Sequence, residues 1–86
     1  MENEIQKELL NSLEPLLIPH QFKKDFVEDE NEVLIWKNDG KTLRNLIIYD
    51  DGAMCLSIIN INDSGKKLSF FESTDNPEEI VKYLLL

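Results

Sequence analysis

Three short turn signals divide the middle of this 86-residue chain into four apolar runs. The signals are Asn38-Asp39-Gly40, Asp50-Asp51-Gly52 and Asn62-Asp63-Ser64-Gly65, and they contain all three glycines of the chain. Glycine adopts positive φ at little steric cost, as tight hairpin turns require. The turns recur about every twelve residues, which is typical of an antiparallel meander. The region from Glu32 to Glu72 therefore predicts four consecutive antiparallel strands.

An amphipathic helix is predicted before the meander, from about Asn3 to Leu17. Its apolar row follows helical spacing and consists of Ile5, Leu9, Leu13 and Leu16. Asn3 is a suitable N-cap. Pro15 lacks an amide hydrogen and would clash with the carbonyl of Asn11. We therefore expect the regular helix to end or kink near Leu13.

Residues 21–28 form a weaker strand candidate. Strand alternation places Phe22, Lys24 and Phe26 on one side of the pleat. Because Phe22 and Phe26 are four residues apart, they are also compatible with a helical turn. The sheet is accordingly predicted to have four or five strands.

A second, short helix is predicted after the meander. Asn76 can cap it, Pro77 fits its first position, and Glu78 and Glu79 fall in its first turn. The spacing from Asn76 to Glu79 resembles a capping box. Such a short helix needs tertiary packing. The predicted fold is α+β, with an N-terminal helix, a four- to five-stranded antiparallel meander and a C-terminal helix in a two-layer sandwich, forming a single domain over residues 1–86.

Both faces of the predicted sheet are apolar. In the first meander strand, for example, Val33 and Ile35 oppose Leu34 and Trp36. A sheet with one solvated face would alternate apolar with polar residues. Five strands span ~24 Å, and two helices side by side cover ~20 Å of one face only. Three arrangements are open: the sheet curls, the helices divide between the faces, or the second face meets a homodimer partner, another protein or a ligand.

The charge of the chain disfavours several partners. Seventeen acids and nine Lys or Arg residues give a formal net charge of −8. Nucleic acid binding needs a basic surface, and anionic membranes attract basic segments. No apolar run approaches the ~18–20 residues that span a bilayer. Glu2 and Glu4 stand where a signal peptide would be basic. We expect a cytoplasmic protein that binds neither nucleic acid nor membrane.

The sequence contains no recognisable catalytic or metal-binding constellation. His20 is the single histidine, and no partner for it is evident. Cys55 is the single cysteine, which excludes a cysteine-based zinc cluster, and its apolar run predicts a small buried hydrophobe. The acidic run over residues 25–32 does not fit a calcium-binding loop. We therefore expect no catalytic residue, no metal and no cofactor.

The leading functional hypothesis is a non-enzymatic interaction protein that binds through its surplus apolar face, either as a homodimer or with another protein. Trp36 is either a core residue or an interface anchor, since Trp, Tyr and Arg dominate binding hot spots. Arg44 shares strand parity with Leu46 and Ile48. The predicted partner-binding residues are Leu34, Trp36, Arg44, Leu46 and Ile48.

The alternative is a small-ligand-binding domain or minor enzyme with a pocket between sheet and helices. Such a pocket would hold ~300 Å³ or more and several convergent polar groups. Ser57 and Asn60 are candidates to orient a ligand, although they lie on opposite strand parities.

Overall fold

A computed structural model describes residues 1–86 as one antiparallel sheet flanked in sequence by two helices. The elements are α1 (Glu4–Leu17), β1 (Lys23–Val27), β2 (Glu32–Asn38), β3 (Thr42–Ile48), β4 (Met54–Asn60), β5 (Lys66–Phe71) and α2 (Pro77–Leu84). Two 3₁₀ turns, Ile18–His20 and Glu28–Glu30, precede and follow β1. The strands lie in sequence order, β1-β2-β3-β4-β5, and each pair is antiparallel. The predicted α+β fold is confirmed, and the sheet has the fifth strand.

The hairpin turns use glycine as predicted in two cases out of three. Gly40 and Gly52 have φ values of 89° and 91°. In the third turn the left-handed residue is Ser64, with φ 60°, and the prediction for Gly65 is wrong. The amide of Gly65 instead donates to the Asp63 carboxylate at 2.8 Å.

Helix α1 continues past the position where Pro15 was expected to end it. The helix runs to Leu17, with Pro15 inside its last turn and exposed to solvent. Proline removes one hydrogen bond there. Leu17 is buried and Leu16 packs against the core, so burial of the following residues offsets that loss. At its start, Asn3 and Gln6 form a complete capping box.

Helix α2 begins as its cap residues predict, with Asn76 at the N-cap and Pro77 following it. The Asn76 side chain accepts from the Glu78 amide at 2.8 Å. The capping-box resemblance pointed to Glu79 as the partner of Asn76. The Asn76 side chain instead bonds to the amide of Glu78, one residue earlier.

Both helices pack on the same face of the sheet, which we call the covered face. A single core of 13 buried residues lies between them and β2, β3 and β4. Its members are Leu9, Leu10, Leu13, Leu17, Val33, Ile35, Leu46, Ile48, Met54, Leu56, Ile80, Val81 and Leu84. Phe22 and Phe26 pack against it, and Lys24 pairs with Glu14 of α1 at 2.8 Å. Neither helix is long and apolar enough to cross a membrane.

Candidate interaction face

The sheet face opposite the two helices has no fully buried residue, and we call it the open face. Strand pairing arranges its central side chains in two rows that cross all five strands. The Leu34 row consists of Asp25, Leu34, Ile47, Cys55 and Phe70. The Trp36 row consists of Lys23, Trp36, Asn45, Ser57 and Leu68.

The most exposed apolar side chains of the open face lie on the edge strand β5. Phe70 is 73% exposed and Leu68 is 50% exposed. Leu34, Trp36 and Ile47 on the inner strands are half-buried by their neighbours. An apolar surface therefore extends from β2 to the sheet edge. The sequence left three arrangements open for the two apolar faces. The structure excludes the one in which the helices are divided between the faces.

Trp36 is held in place by two charged neighbours on β1. Its indole Nε1 donates to Asp25 Oδ2 at 2.8 Å, and Lys23 Nζ lies 5.1 Å from the ring centroid. Both contacts follow from the register, because Lys23 pairs with Trp36 and Asp25 pairs with Leu34. The indole N–H is satisfied, so the ring presents its apolar surface in a fixed orientation.

Polar groups at the centre of the open face bond to each other. Asn45 Nδ2 donates to Ser57 Oγ at 3.4 Å across β3 and β4.

Burial raises the pKa of the Tyr49 phenol, and Cys55 adds to the effect. Burial also raises the pKa of the Glu32 carboxyl, with the nearby acids Glu30 and Asp50 contributing.

The strand register separates the residues that were expected to form one binding surface. Leu34 and Trp36 lie on the open face. Val33 pairs with Ile48 and Ile35 pairs with Leu46, so Leu46 and Ile48 lie on the covered face, where neither is exposed to solvent. The prediction that Leu46 and Ile48 share a surface with Leu34 and Trp36 is therefore wrong.

Arg44 also lies on the covered face and does not border Trp36. Its Nη1 donates to the carbonyl of Leu84 at 2.9 Å and to that of Leu86. Arg44 therefore holds the end of the chain that follows α2. The apolar open-face residues that the prediction missed are Val27, Leu43, Ile47, Ile59, Leu68 and Phe70. Their parity within each strand was available from sequence, whereas the register that places them on the same face as Leu34 and Trp36 was not.

His20, Cys55 and the turn acids Asp39 and Asp63 lie in four different elements of the structure. His20 is exposed in a 3₁₀ turn. Cys55 is half-buried in the Leu34 row, so the expectation that it is a buried core residue is wrong. Asp39 and Asp63 accept hydrogen bonds within their own turns, and those from the Lys41 and Thr42 amides lower the pKa of Asp39. No group of three potential metal-ligating side chains occurs.

A cavity of about 430 Å³ lies at the end of the sheet near the last residue of the chain. Arg44, Ile58 and Lys67 are among the residues that line it, and Asn60 reaches it. Ser57, the other candidate ligand-orienting residue, lies on the open face instead. The alternative hypothesis expected a pocket between the sheet and the helices. That layer is packed, and this cavity lies outside it.

Comparisons with protein-family models, with curated proteins and with solved structures find no match to this chain.

Proposed function

We propose that this chain is a non-enzymatic interaction protein that pairs with a second copy of itself through the open face. The observation that carries the proposal is the apolar surface opposite the helices, which runs along Leu34, Ile47 and Phe70. Trp36 and Leu68 extend it on either side of the polar pair Asn45 and Ser57. Burying such a surface against a second apolar surface is favourable by roughly 25 cal/mol per Å².

The size of the open face fits a weak, specific dimer. Five strands at ~4.8 Å spacing and six to seven residues at ~3.4 Å give a plane of about 500 Å². Specific interfaces need about 1,000 Å² in total, or about 500 Å² from each partner. We therefore expect a dissociation constant in the micromolar range.

The charge of the open face favours a second copy of this acidic chain. The strand residues of this face include two bases, Lys23 and Lys66, and two acids, Asp25 and Glu32. Within the strands the face is thus neutral, and Glu72, directly after β5, adds one negative charge, whereas the whole chain carries −8. Two copies therefore bring little like net charge together at the contact, and twofold homodimers are the commonest oligomers.

The polar groups of the open face order its surface. Asp25 fixes Trp36, and Asn45 bonds to Ser57, so these groups retain their partners when water is removed. Trp36 is the proposed anchor of the contact. We propose the reducing cytoplasm as the location, where the single thiol of Cys55 would stay reduced.

Size-exclusion chromatography with light scattering tests the proposal at about 10 µM and 100 µM, since dimerisation depends on concentration. The wild-type mass should rise towards that of a dimer, and Ile47→Lys should remain monomeric because it places a charge in the centre of the open face. Asn11→Lys, at an exposed position of α1, should behave as wild type. Circular dichroism verifies that each variant is folded. A wild-type chain that is monomeric at both concentrations contradicts the proposal.

A further inference from the structure

We infer that the two copies stack end for end, related by a twofold axis that lies between the sheets and crosses the strands at right angles. This inference rests on the proposed function and specifies how the second copy is oriented. It follows from the distribution of charge along the strands and from the pairing of rows on the open face.

The two ends of the sheet differ in charge. The connections at one end span residues 28–31, 49–53 and 72–76. They carry seven acids and no Lys or Arg: Glu28, Asp29, Glu30, Asp50, Asp51, Glu72 and Asp75. The connections at the opposite end span residues 18–22, 39–41 and 61–65 and carry two acids, Asp39 and Asp63, and one base, Lys41. Four more bases lie on strand residues near that end, and of these only Lys66 is on the open face: Lys37, Arg44, Lys66 and Lys67.

An end-for-end arrangement brings each acidic end next to the basic end of the other copy. Rotation about an axis parallel to the strands would instead place acidic end against acidic end. Like-charge juxtaposition at an interface is strongly unfavourable, whereas complementary potentials favour the encounter and fix the register. The charge distribution therefore selects the axis that crosses the strands.

The two rows of the open face match on β1, β2 and β5 under the same rotation. An axis between the Leu34 row and the Trp36 row places the Leu34 row of one copy over the Trp36 row of the other. Leu34 then faces Trp36, Phe70 faces Leu68, and Asp25 faces Lys23. Apolar groups thus meet on β2 and β5, and the acid meets the base on β1. On β3 and β4, Ile47 faces Asn45 and Cys55 faces Ser57.

The alternative axis gives a poor match at the sheet edges. Rotation about the direction of β3 places β1 of one copy over β5 of the other. Asp25 would then face Phe70 and Lys23 would face Leu68. Each of these contacts removes a charge from water without a charged partner, which is costly.

The end-for-end arrangement creates a reciprocal ion pair on β5. Lys66 begins this strand on the open face, and Glu72 follows its last residue at the next position of the same alternation. The rotation brings Lys66 of each copy to Glu72 of the other, so the dimer contains this pair twice. Lys67 is adjacent in sequence, but it pairs with Ile58 and lies on the covered face.

A charge-exchange experiment tests the inference. Sedimentation velocity should give dimers about 5–30-fold weaker than wild type for Lys66→Glu and for Glu72→Lys, because each variant creates two like-charge pairs. An equimolar mixture of the two variants should recover wild-type affinity, since both pairs then have opposite charges. The double variant Lys66→Glu/Glu72→Lys should also recover it. Lys67→Glu makes the same change in net charge on the covered face and should weaken the dimer less than Lys66→Glu.

The outcomes separate this inference from the proposed function. A wild-type dimer whose two single variants do not complement each other overturns the end-for-end orientation and leaves self-association intact. Loss of affinity in Lys67→Glu equal to that in Lys66→Glu also overturns it, because the charge would then act through overall repulsion or through edge-to-edge pairing of β5. A wild-type chain that does not dimerise removes the proposed function itself.

Discussion

The side-chain amide of Gln6 donates a hydrogen bond of 3.2 Å to the backbone carbonyl of Ile48, the last residue of β3. The same amide donates to the carbonyl of Asn31 at 2.8 Å, and its oxygen accepts from the Asn3 amide at 3.0 Å. Gln6 is the one buried polar side chain of the protein. It fixes the beginning of α1 against the connection between β1 and β2 and the end of β3 on the covered face, which leaves the other face of the sheet open.

Replacing Gln6 with leucine should destabilise the fold by about 2–3 kcal/mol, because the buried carbonyl of Ile48 and the partly buried backbone groups of Asn31 and Asn3 lose their partners, at about 1–3 kcal/mol for a buried group. Urea denaturation monitored by circular dichroism measures this change. Asn11→Leu introduces the same apolar side chain at an exposed position of α1 and should change stability by no more than about 0.5 kcal/mol. Equal effects of the two substitutions would show that the bonds of Gln6 do not stabilise the fold.

Gly52 and Gly40 provide a matched pair for separating backbone strain from steric overlap. Both have φ near +90°, so alanine at either position should cost about 1–2 kcal/mol of strain. At Gly52 the added Cβ would also lie 2.8 Å from Ile5 Cγ2 and 2.9 Å from Ser73 Cβ, whereas nothing lies within 4 Å at Gly40. Gly52→Ala should therefore be the more destabilising substitution in thermal and urea unfolding. An equal or smaller loss at Gly52 would contradict the close packing of α1 on this turn.

Because the pKa of Glu32 is raised in the folded protein, replacing Glu32 should increase the stability of the fold, and the increase should depend on pH. Burial and neighbouring acids favour the protonated carboxyl in the folded state, so ionised Glu32 weakens folding at neutral pH. Glu32→Gln should raise Tm by about 1–3 °C at pH 7, a size typical of surface charge changes. The gain should disappear as the pH falls below the ordinary glutamate pKa of about 4.3, since both states are then protonated in the wild type.

Differential scanning fluorimetry of wild type and Glu32→Gln at both pH values measures this gain. Glu8→Gln on the exposed side of α1 makes the same change in net charge and serves as its control. A gain of equal size at neutral and acid pH would rule out the titration of Glu32 as its cause.

Trp36 should report pairing of the open face by its own fluorescence. The indole is half-buried in the monomer, and a second copy would remove water from its remaining surface. Emission should shift to shorter wavelength, and acrylamide quenching should fall, as the protein is concentrated from about 5 µM to 100 µM. Ile47→Lys should abolish both changes. Concentration-independent emission in the wild type would exclude Trp36 from the contact.

Within each strand, the sequence suffices to assign side chains to faces. Leu34 and Trp36 oppose Val33 and Ile35 because the pleat has a period of two residues. The relation between strands depends on how many residues each turn uses, and a slip of one residue exchanges the faces. This is why Leu34 could not be separated from Ile48 until the register was known.

Local rules also failed where tertiary packing outweighed them. Pro15 predicted an early end to α1, but burial of Leu17 extends the helix. The strand β1 was ambiguous in sequence because Phe22 and Phe26 fit two periodicities. The charges that neutralise the open face include Lys23 and Asp25 of this strand, so its electrical balance could not be recognised beforehand.

Amide NMR spectra recorded across dilution show whether the open face binds a second copy of the chain. Between about 500 µM and 20 µM, we expect shifts at Leu34, Ile47 and Phe70, while the exposed helix residues Asn11 and Lys82 remain unchanged. Spectra that do not change with concentration, or changes confined to the two helices, would contradict this binding.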